Sequence, residues 1–230
     1  MKPPLVLLPG MMCDARLFQP QIAAFSSERP VMVMPMTGHD TIEALAQVVL
    51  ENSPPRFALA GLSMGGILAM EVIRRAPDRV THLALLDTNP KAEMPEVQAR
   101  RLPQIDRAKQ GRLREVMVEE MKPNYLVDGP NRAAILDLCL HMAQDLGPEV
   151  FISQSRALAA RPDQQDTLKS IDVPALVLCG RADSLCPLSR HELMKDLIPG
   201  SRLVIIEEAG HLPVLEQPET TNEVLKAWLT

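Results

Sequence analysis

The chain has 230 residues, 46% of them hydrophobic, with 24 Lys and Arg against 29 Asp and Glu and a formal net charge of −5. These values predict one sizeable globular domain, or a domain with one large insertion, and exclude an intrinsically disordered chain. The acidic balance, without a basic cluster, argues against nucleic acid or an anionic membrane as the main partner.

The cysteines and the first apolar run bear on the compartment in which the protein works. Four cysteines are scattered at positions 13, 139, 179 and 186, and no two form a Cys-x-x-Cys pair. Such spacing fits neither a zinc site nor a disulfide framework, so free thiols in a reducing compartment are expected. The apolar run Leu5–Leu8 is too short for a signal-peptide core or a membrane-spanning helix. We therefore expect a cytoplasmic protein without membrane insertion.

Six short apolar runs, bounded by Gly, Pro or Asp, predict strands that are covered on both faces. They are residues 5–8, 31–34, 57–62, 80–86, 175–179 and 203–206. Helical patterns separate most of them. The alternation of strand and helix predicts a doubly wound α/β fold with a parallel sheet.

Three of the helical patterns carry signals for their first residues. Ile42 and the apolar residues after it have helical spacing behind Asp40 and Thr41, which are candidate N-caps. Ser189 with Glu192 has the capping-box form ahead of residues 193–197. Thr220 with Glu223 has the same form ahead of residues 224–229.

A serine between two glycines follows the third predicted strand. Gly61, Ser63 and Gly65 lie between the apolar run 57–62 and a helical pattern that ends before Pro77. At a strand-to-helix turn, Gly-x-Ser-x-Gly predicts a nucleophile elbow, in which the sharp turn lifts the hydroxyl above the edge of the sheet. The glycines are required because side chains at their positions would collide across the turn.

The alternation breaks once, between Asp87 and about Ile171, where the pattern predicts consecutive helices. One apolar stripe contains Leu138 and Met142, and a second contains Met117 and Met121. An insertion there lies above the carboxyl edge of the sheet, where ligands bind in such folds. We therefore expect a helical cap over residues 88–171 on a core of residues 1–87 and 172–230. The alternative is a stabilising appendage without a role in catalysis.

A serine nucleophile needs a base to take its proton, and His211 is the histidine best placed for that role. His211 lies in a loop just after the last predicted strand, as expected when the chain order is Ser, acid, His. His82 falls inside a strand run, and His191 is expected on a solvated helix face. His39 and His141 are weaker candidates that would lie near the mouth of a pocket.

The expected acid is Asp183, which follows the fifth predicted strand after Gly180 and therefore lies at the carboxyl edge. Asp87 is the alternative candidate because it ends the fourth strand. We expect it instead to be a structural polar residue that caps the hinge of the helical insertion. Asp172 precedes its strand and lies at the wrong edge.

Two backbone N–H groups are needed to stabilise the oxyanion that forms when serine attacks a carbonyl. Met64, directly after the nucleophile and at a helix N-terminus, is expected to supply one. The loop after the first strand should supply the other, from Met11 or, as the fallback, from Met12. The nearby Cys13 is expected to be a buried apolar side chain and not a second nucleophile.

These motifs together resemble the α/β-hydrolase superfamily, and in particular its small serine carboxylesterases and enol-lactone hydrolases. The motifs are Leu7-Leu8-Pro9-Gly10, Gly61-Leu62-Ser63-Met64-Gly65-Gly66, Gly180-Arg181-Ala182-Asp183 and Gly210-His211. The resemblance implies Ser63, Asp183 and His211 as the catalytic triad and the amides of Met11 and Met64 as the oxyanion hole. It also implies a compact sheet with strand order 2-1-3-4-5-6. Unlike many members, the chain has Pro9 before Gly10 in place of a histidine, and it leaves no room for an N-terminal β-hairpin.

The leading hypothesis is a serine hydrolase acting on a small or medium carboxylic ester or lactone. The residues expected to line its pocket are Met12, Met117, Met121, Leu138 and Met142, which favour an apolar acyl group. Alternatives are a ligand-binding or signalling protein on the same scaffold, or a C–C hydrolase, acyltransferase or perhydrolase. No cofactor or metal is expected, because His39 and Asp40 lack further ligands at a usual spacing. The sequence leaves the oligomeric state open.

Overall fold

The computed structural model describes residues 2–121 and 124–230. Six parallel strands form one sheet in the order β2-β1-β3-β4-β5-β6, which confirms the predicted fold and strand order. The strands are β1 Leu5–Leu8, β2 Val31–Val33, β3 Phe57–Leu62, β4 Val80–Leu86, β5 Ala175–Gly180 and β6 Arg202–Ile206.

Helices cover both faces of the sheet, and this explains why the strands read as continuous apolar runs. Successive strand residues alternate between two buried clusters: Leu59 packs in one, and Ala58 and Ala60 pack in the other. The first cluster receives α2 Ile42–Asn52, α3 Met64–Arg75 and α8 Leu188–Leu197. The second receives α1 Gln19–Phe25 and α10 Pro218–Trp228.

One of the three predicted helix starts is confirmed and two are wrong. Thr41 caps α2, and its Oγ1 accepts a hydrogen bond from the amide of Ala44. In contrast, α8 begins at Leu188 and α10 begins at Pro218, so Ser189 and Thr220 lie inside the first turns. Proline favours the first helical position, because its fixed φ suits the helix and its missing N–H is not needed there. Pro218 therefore starts α10 ahead of the capping-box pattern.

Helices fill the described part of the stretch between β4 and β5. They are α4 Pro95–Lys109, α5 Leu113–Val116, a π-helical turn Met117–Met121, α6 Arg132–Ala159 and α7 Gln165–Lys169. α6 kinks at Gly147, which has φ +81° and precedes Pro148. The first helices pack against α6 around a third buried cluster that contains Leu113, Leu140 and Phe151. No helix in the described ranges is both long enough and apolar enough to cross a membrane.

Candidate active site

Ser63 occupies the single position between β3 and α3. Its backbone has φ +55° and ψ −115°, a conformation that costs free energy for any residue other than glycine. A Cβ on Gly61 would lie 2.1 Å from the carbonyl oxygen of Gly65, and a Cβ on Gly65 would lie 2.0 Å from that of Leu8. The two glycines therefore allow the turn to close against β1.

Asp183 and His211 meet above the ends of β5 and β6. His211 Nδ1 lies 2.9 Å from Asp183 Oδ2, and the two residues are only 4% and 5% exposed. The other carboxylate oxygen of Asp183 accepts hydrogen bonds from the amides of Leu185 and Cys186, at 2.9 and 3.0 Å. Burial alone would raise the pKa of Asp183, but the charge and hydrogen bond of His211 and these two amides lower it. The carboxylate is therefore held ionised and in one orientation.

Ser63 and His211 both line a cavity of about 740 Å³ above the carboxyl edge of the sheet. Gly10, Met11 and Met64 line the same cavity. The hydroxyl of Ser63 makes no hydrogen bond to residues 2–121 or 124–230. The fold thus brings the predicted nucleophile, base and amide donors to one cavity, with Asp183 behind the base.

The backbone amides of Met11 and Met12 differ in their hydrogen bonds. The N–H of Met12 donates to Gln154 Oε1 at 2.8 Å, and the buried Gln154 also donates to the carbonyl of Met36. The fallback to Met12 is therefore wrong, because its amide already has an acceptor. Across the described part of the chain, the amides of Met11 and Met64 have none.

The predicted pocket lining is largely wrong. Only Met121 among the five predicted residues lines the cavity. Met12 and Met117 pack inside the cluster between α4, α5 and α6, and Met142 is buried between α6 and the core, where its sulfur accepts from the amide of Asp14. Leu138 packs at the margin of the second sheet cluster, which also contains Met142. Apart from Met121, these stripe residues pack against neighbouring helices and the core and do not line the cavity.

Asp87 does not cap a solvent-exposed hinge. It is fully buried, and its Oδ1 accepts a hydrogen bond from the amide of Gly180 at 2.9 Å. Burial, and then the negative charge of the adjacent Asp183, raise the pKa of Asp87 well above its usual range. Its Oδ2 has no donor among the described residues. A proton on this oxygen allows it to donate to Asp183.

His191 is also buried and not solvated. Its Nε2 accepts from the amide of Thr88 at 3.1 Å, and burial lowers the pKa of the ring to about 4. The hydroxyl of Thr88 in turn donates to the carbonyl of Ser63 at 2.7 Å. A neutral His191 therefore helps to position the turn that carries Ser63.

The other histidines lie away from the cavity. The ring of His82 packs edge-on against Trp228, with ring centres 5.9 Å apart. His39 is exposed, and His141 is exposed beside Asp137 on the outer face of α6.

Two residues that the sequence did not single out hold the His211 loop. Glu216 accepts three backbone hydrogen bonds, from Gly210 and Leu212 on either side of the histidine and from Val127. The carbonyl of Tyr125 accepts from the amide of His211 at 2.6 Å. An isolated Glu and the single Tyr carry no motif, so only the three-dimensional structure identifies them.

Potential metal ligands and two thiols, Cys13 and Cys186, lie at the same site. In the described ranges, one group of potential ligands lies close together: atoms of Asp183, Cys186 and His211 within 4.8 Å of one another. The oxygens of Asp183 already accept hydrogen bonds, and burial raises the pKa of Cys186, which disfavours the thiolate that binds metals. Burial likewise raises the pKa of Cys13, so that thiol is a poor nucleophile.

Comparisons with known proteins agree with this fold. A model of the alpha/beta hydrolase family matches residues 5–224. The pimeloyl-(acyl-carrier protein) methyl ester esterase of Aeromonas hydrophila is 24% identical over 239 residues, covering 97% of this chain and 94% of that protein. The enzyme of the same name from Photobacterium profundum is 29% identical over 208 residues, covering 85% and 82%.

Solved structures show the same architecture. A malate-bound thermophilic esterase from Thermogutta terrifontis has a TM-score of 0.88 and 30% identity, covering 98% of this chain and 89% of that chain. The enol-lactonase of Burkholderia xenovorans LB400 has a TM-score of 0.89 at 24% identity, covering 100% and 92%, and shows the shared fold. Because the family model spans nearly the whole chain and its relatives are named as esterases, the protein is an ester-bond hydrolase that belongs to the alpha/beta hydrolase family.

Proposed function

We propose that the protein is a serine hydrolase that cleaves a small or medium carboxylic ester or lactone through an acyl-enzyme on Ser63. The observation that carries this proposal is the convergence on one cavity of Ser63, of His211 held by Asp183, and of the unpaired amides of Met11 and Met64. A nucleophile, an oriented base and two oxyanion donors are the minimum set for acyl transfer.

In this mechanism the Ser63 oxygen attacks the carbonyl carbon while its proton passes to His211 Nε2. Asp183 accepts from Nδ1–H, so the lone pair of the neutral ring stays on Nε2, and the carboxylate stabilises the imidazolium that forms. The amides of Met11 and Met64 donate to the negative oxygen of the tetrahedral intermediate. When the C–O bond to the leaving group breaks, the departing oxygen takes the proton from Nε2.

The second half of the reaction repeats these steps with water. His211 removes a proton from a water molecule, and the resulting hydroxide adds to the acyl carbonyl. The Ser63 oxygen then leaves and recovers its proton from Nε2, which regenerates the free enzyme. In a lactone the leaving oxygen stays tethered to the acyl group, so the product is a hydroxy acid.

We also propose residues 88–171 as a cap on a core of residues 1–87 and 172–230. Two contacts support a role for this segment at the site: the carbonyl of Tyr125 holds the amide of His211, and Gln154 holds the amide of Met12 beside the first catalytic loop. A cavity of about 740 Å³ lies within the range of about 300–1,000 Å³ for small-molecule sites. This volume supports a small or medium substrate.

Initial rates on p-nitrophenyl esters from acetate to palmitate, with Ser63→Ala beside the wild type, test this function. We expect a chain-length optimum in the wild type and a loss of at least about 10³-fold in kcat in the variant. Labelling by a fluorophosphonate should occur in the wild type and be absent in Ser63→Ala. A variant that keeps its esterase activity would rule out Ser63 as the nucleophile.

A further inference from the structure

The charged side chains that line the active-site cavity are mostly cationic. Five cationic residues line it: Lys91, Arg100, Arg101, Arg161 and Arg190. Two anionic residues, Glu93 and Glu120, do so. The whole chain carries a net charge of −5. The cavity therefore has a charge opposite in sign to that of the molecule.

Glu93 lies between two of these arginines. Its carboxylate is 1% exposed, and it accepts two hydrogen bonds from Arg101, of which Nη2 to Oε1 measures 2.7 Å. Nη1 of Arg161 donates to the same Oε1 at 2.5 Å, and Nε of Arg161 donates to the carbonyl of Lys91. One carboxylate is thus shared by two guanidinium groups.

One carboxylate cannot neutralise two guanidinium groups, so one positive charge stays unbalanced. Both arginine side chains are largely shielded from water. The side chains of Arg101 and Arg161 are only 15% and 9% exposed. Burial would raise the pKa of Glu93, but its hydrogen bonds with Arg101 and the charges of both arginines lower it, so the carboxylate is ionised. Burial lowers the pKa of Arg161, which reflects the free energy needed to keep its charge away from water.

Glu120 does not supply the missing negative charge. Its two carboxylate oxygens are occupied by Gln104 and by Arg107, and Arg107 does not line the cavity. Arg100 and Arg190 add further positive charge at the same cavity.

The excess charge lies close to the reacting groups. Nη1 of Arg101 contacts the sulfur of Met11 at 3.9 Å, and Met11 lines the cavity together with Ser63. A thioether sulfur is a weak hydrogen-bond acceptor, so an anionic oxygen would be a much stronger partner for this N–H group. A wholly apolar substrate would instead cover the cation and leave it unpaired.

We propose that the substrate is an ester or lactone that also carries an anionic group, a carboxylate or a phosphate, which Arg101 and Arg161 receive inside the cavity. This inference rests on the proposed serine hydrolase function and specifies its substrate class. It replaces the purely apolar acyl group that the methionine pattern suggested.

Matched pairs of substrates test the proposal. Mono-p-nitrophenyl esters of succinate, glutarate and adipate are compared with the same compounds whose free carboxylate is capped as a methyl ester. We expect kcat/KM at least about tenfold higher for an anionic member, since hydrogen bonds to charged groups are the stronger ones. A p-nitrophenyl ester that ends in a phosphate monoester shows which anion is preferred. Equal kcat/KM for charged and capped substrates at every length overturns the proposal.

Arg101→Gln assigns the effect to the site. We expect the anionic-to-capped ratio of kcat/KM to fall at least about tenfold, and Glu93 keeps Arg161 as a partner in this variant. Arg75→Gln is the matched control, because the buried Glu71 is likewise shared by two arginines, Arg74 and Arg75, and Arg75 does not line the cavity. Loss of the ratio in the control as well, or its retention in Arg101→Gln, contradicts the assignment.

Two further measurements separate this inference from the function on which it rests. If Arg101→Gln fails to fold, the salt dependence of the wild type tests the proposal instead. Between 20 and 500 mM NaCl, kcat/KM should fall for the anionic substrates and stay constant for the capped ones. Calorimetric titration of Ser63→Ala with monomethyl and dimethyl glutarate requires no turnover. Preferential binding of the half-ester without any esterase activity in the wild type would support the anion site and refute the hydrolase. Turnover of capped esters without preference for anionic ligands would support the hydrolase and refute the anion site.

Discussion

At the scale of single residues, the proposed acid of the triad, Asp183, is one of a pair of buried carboxyl groups. Asp183 faces His211, and Asp87 lies beside Asp183 with one oxygen on the amide of Gly180 and the other without a donor. Two buried carboxyl groups in contact favour one shared proton, because two adjacent negative charges repel each other. The raised pKa of Asp87 and the lowered pKa of Asp183 assign that proton to Asp87. Asp87 is then a positioning residue that donates to the carboxylate of the proposed triad.

This role predicts opposite outcomes for two substitutions of Asp87. Asn keeps an oxygen for Gly180 and offers an N–H to Asp183, so kcat/KM of Asp87→Asn should stay within about threefold of the wild type. Asp87→Ala leaves buried groups unpaired and should lower kcat by about 10- to 100-fold, as expected for a lost buried hydrogen bond near the chemistry. Steady-state kinetics on a capped p-nitrophenyl ester measure both. Equal loss in the two variants would show that a charged Asp87 is needed.

At the scale of elements, the loop that carries His211 is fixed by its neighbours. Glu216, the last residue of α9 Pro213–Glu216, accepts from the amides of Gly210 and Leu212 at 2.9 and 3.1 Å. Its second oxygen accepts from Val127, in the stretch that precedes α6. One carboxylate therefore ties the histidine loop to the proposed cap.

Glu216→Gln tests whether this carboxylate positions His211. An amide group can accept on one side only, so its NH₂ would face at least one backbone N–H that the carboxylate now satisfies. We expect kcat to fall about tenfold with little change in KM, and the free energy of unfolding to fall by about 1–3 kcal/mol. Glu219→Gln, an exposed change in the first turn of α10, is the control. A change in KM alone would place Glu216 in substrate binding.

How well the sequence predicted each element depends on whether its signal is local. The strands were predicted almost to the residue, because burial leaves an apolar run in each one, interrupted in β4 only by Thr81 and His82. The elbow is local as well, since Gly61 and Gly65 contact backbone within the same turn and in β1. Met142 was misplaced because an apolar helical stripe is the same whether it faces a cavity or another helix. His191 was misplaced because its partner, Thr88, lies more than a hundred residues away.

At the scale of the whole molecule, a buried polar network joins α3, the helix that follows Ser63, to both ends of the segment between β4 and β5. Glu71 on α3 accepts from Arg74, Arg75 and the side chain of Gln164. The backbone N–H of Gln164 donates to the carbonyl of Pro90 at 2.8 Å. The chain that leaves β4 and the chain that returns to β5 therefore meet at this point. The network therefore connects α3 to the point where the chain leaves the sheet for these helices and returns from them.

Glu71 should make the free energy of unfolding depend on pH in the acidic range. Burial would raise the pKa of Glu71, but hydrogen bonds from Arg74, Arg75 and Gln164 lower it to about 2 in the folded state, from about 4.5 when unfolded. Because the folded pKa is the lower one, its stabilisation is complete above pH 4.5 and is lost as the pH falls from 4.5 towards 2.

Urea unfolding of the wild type and Glu71→Gln at several values between pH 3 and pH 7 measures this contribution. The difference in the free energy of unfolding should be largest near pH 7 and should shrink steadily below pH 4.5, because protonation makes the native side chain neutral like the variant's. Glu51→Gln, an exposed change on α2, should show little difference at any of these values. A constant gap between wild type and Glu71→Gln would mean that Glu71 stabilises the fold through packing. The charge of its carboxylate would then contribute nothing to the free energy of unfolding.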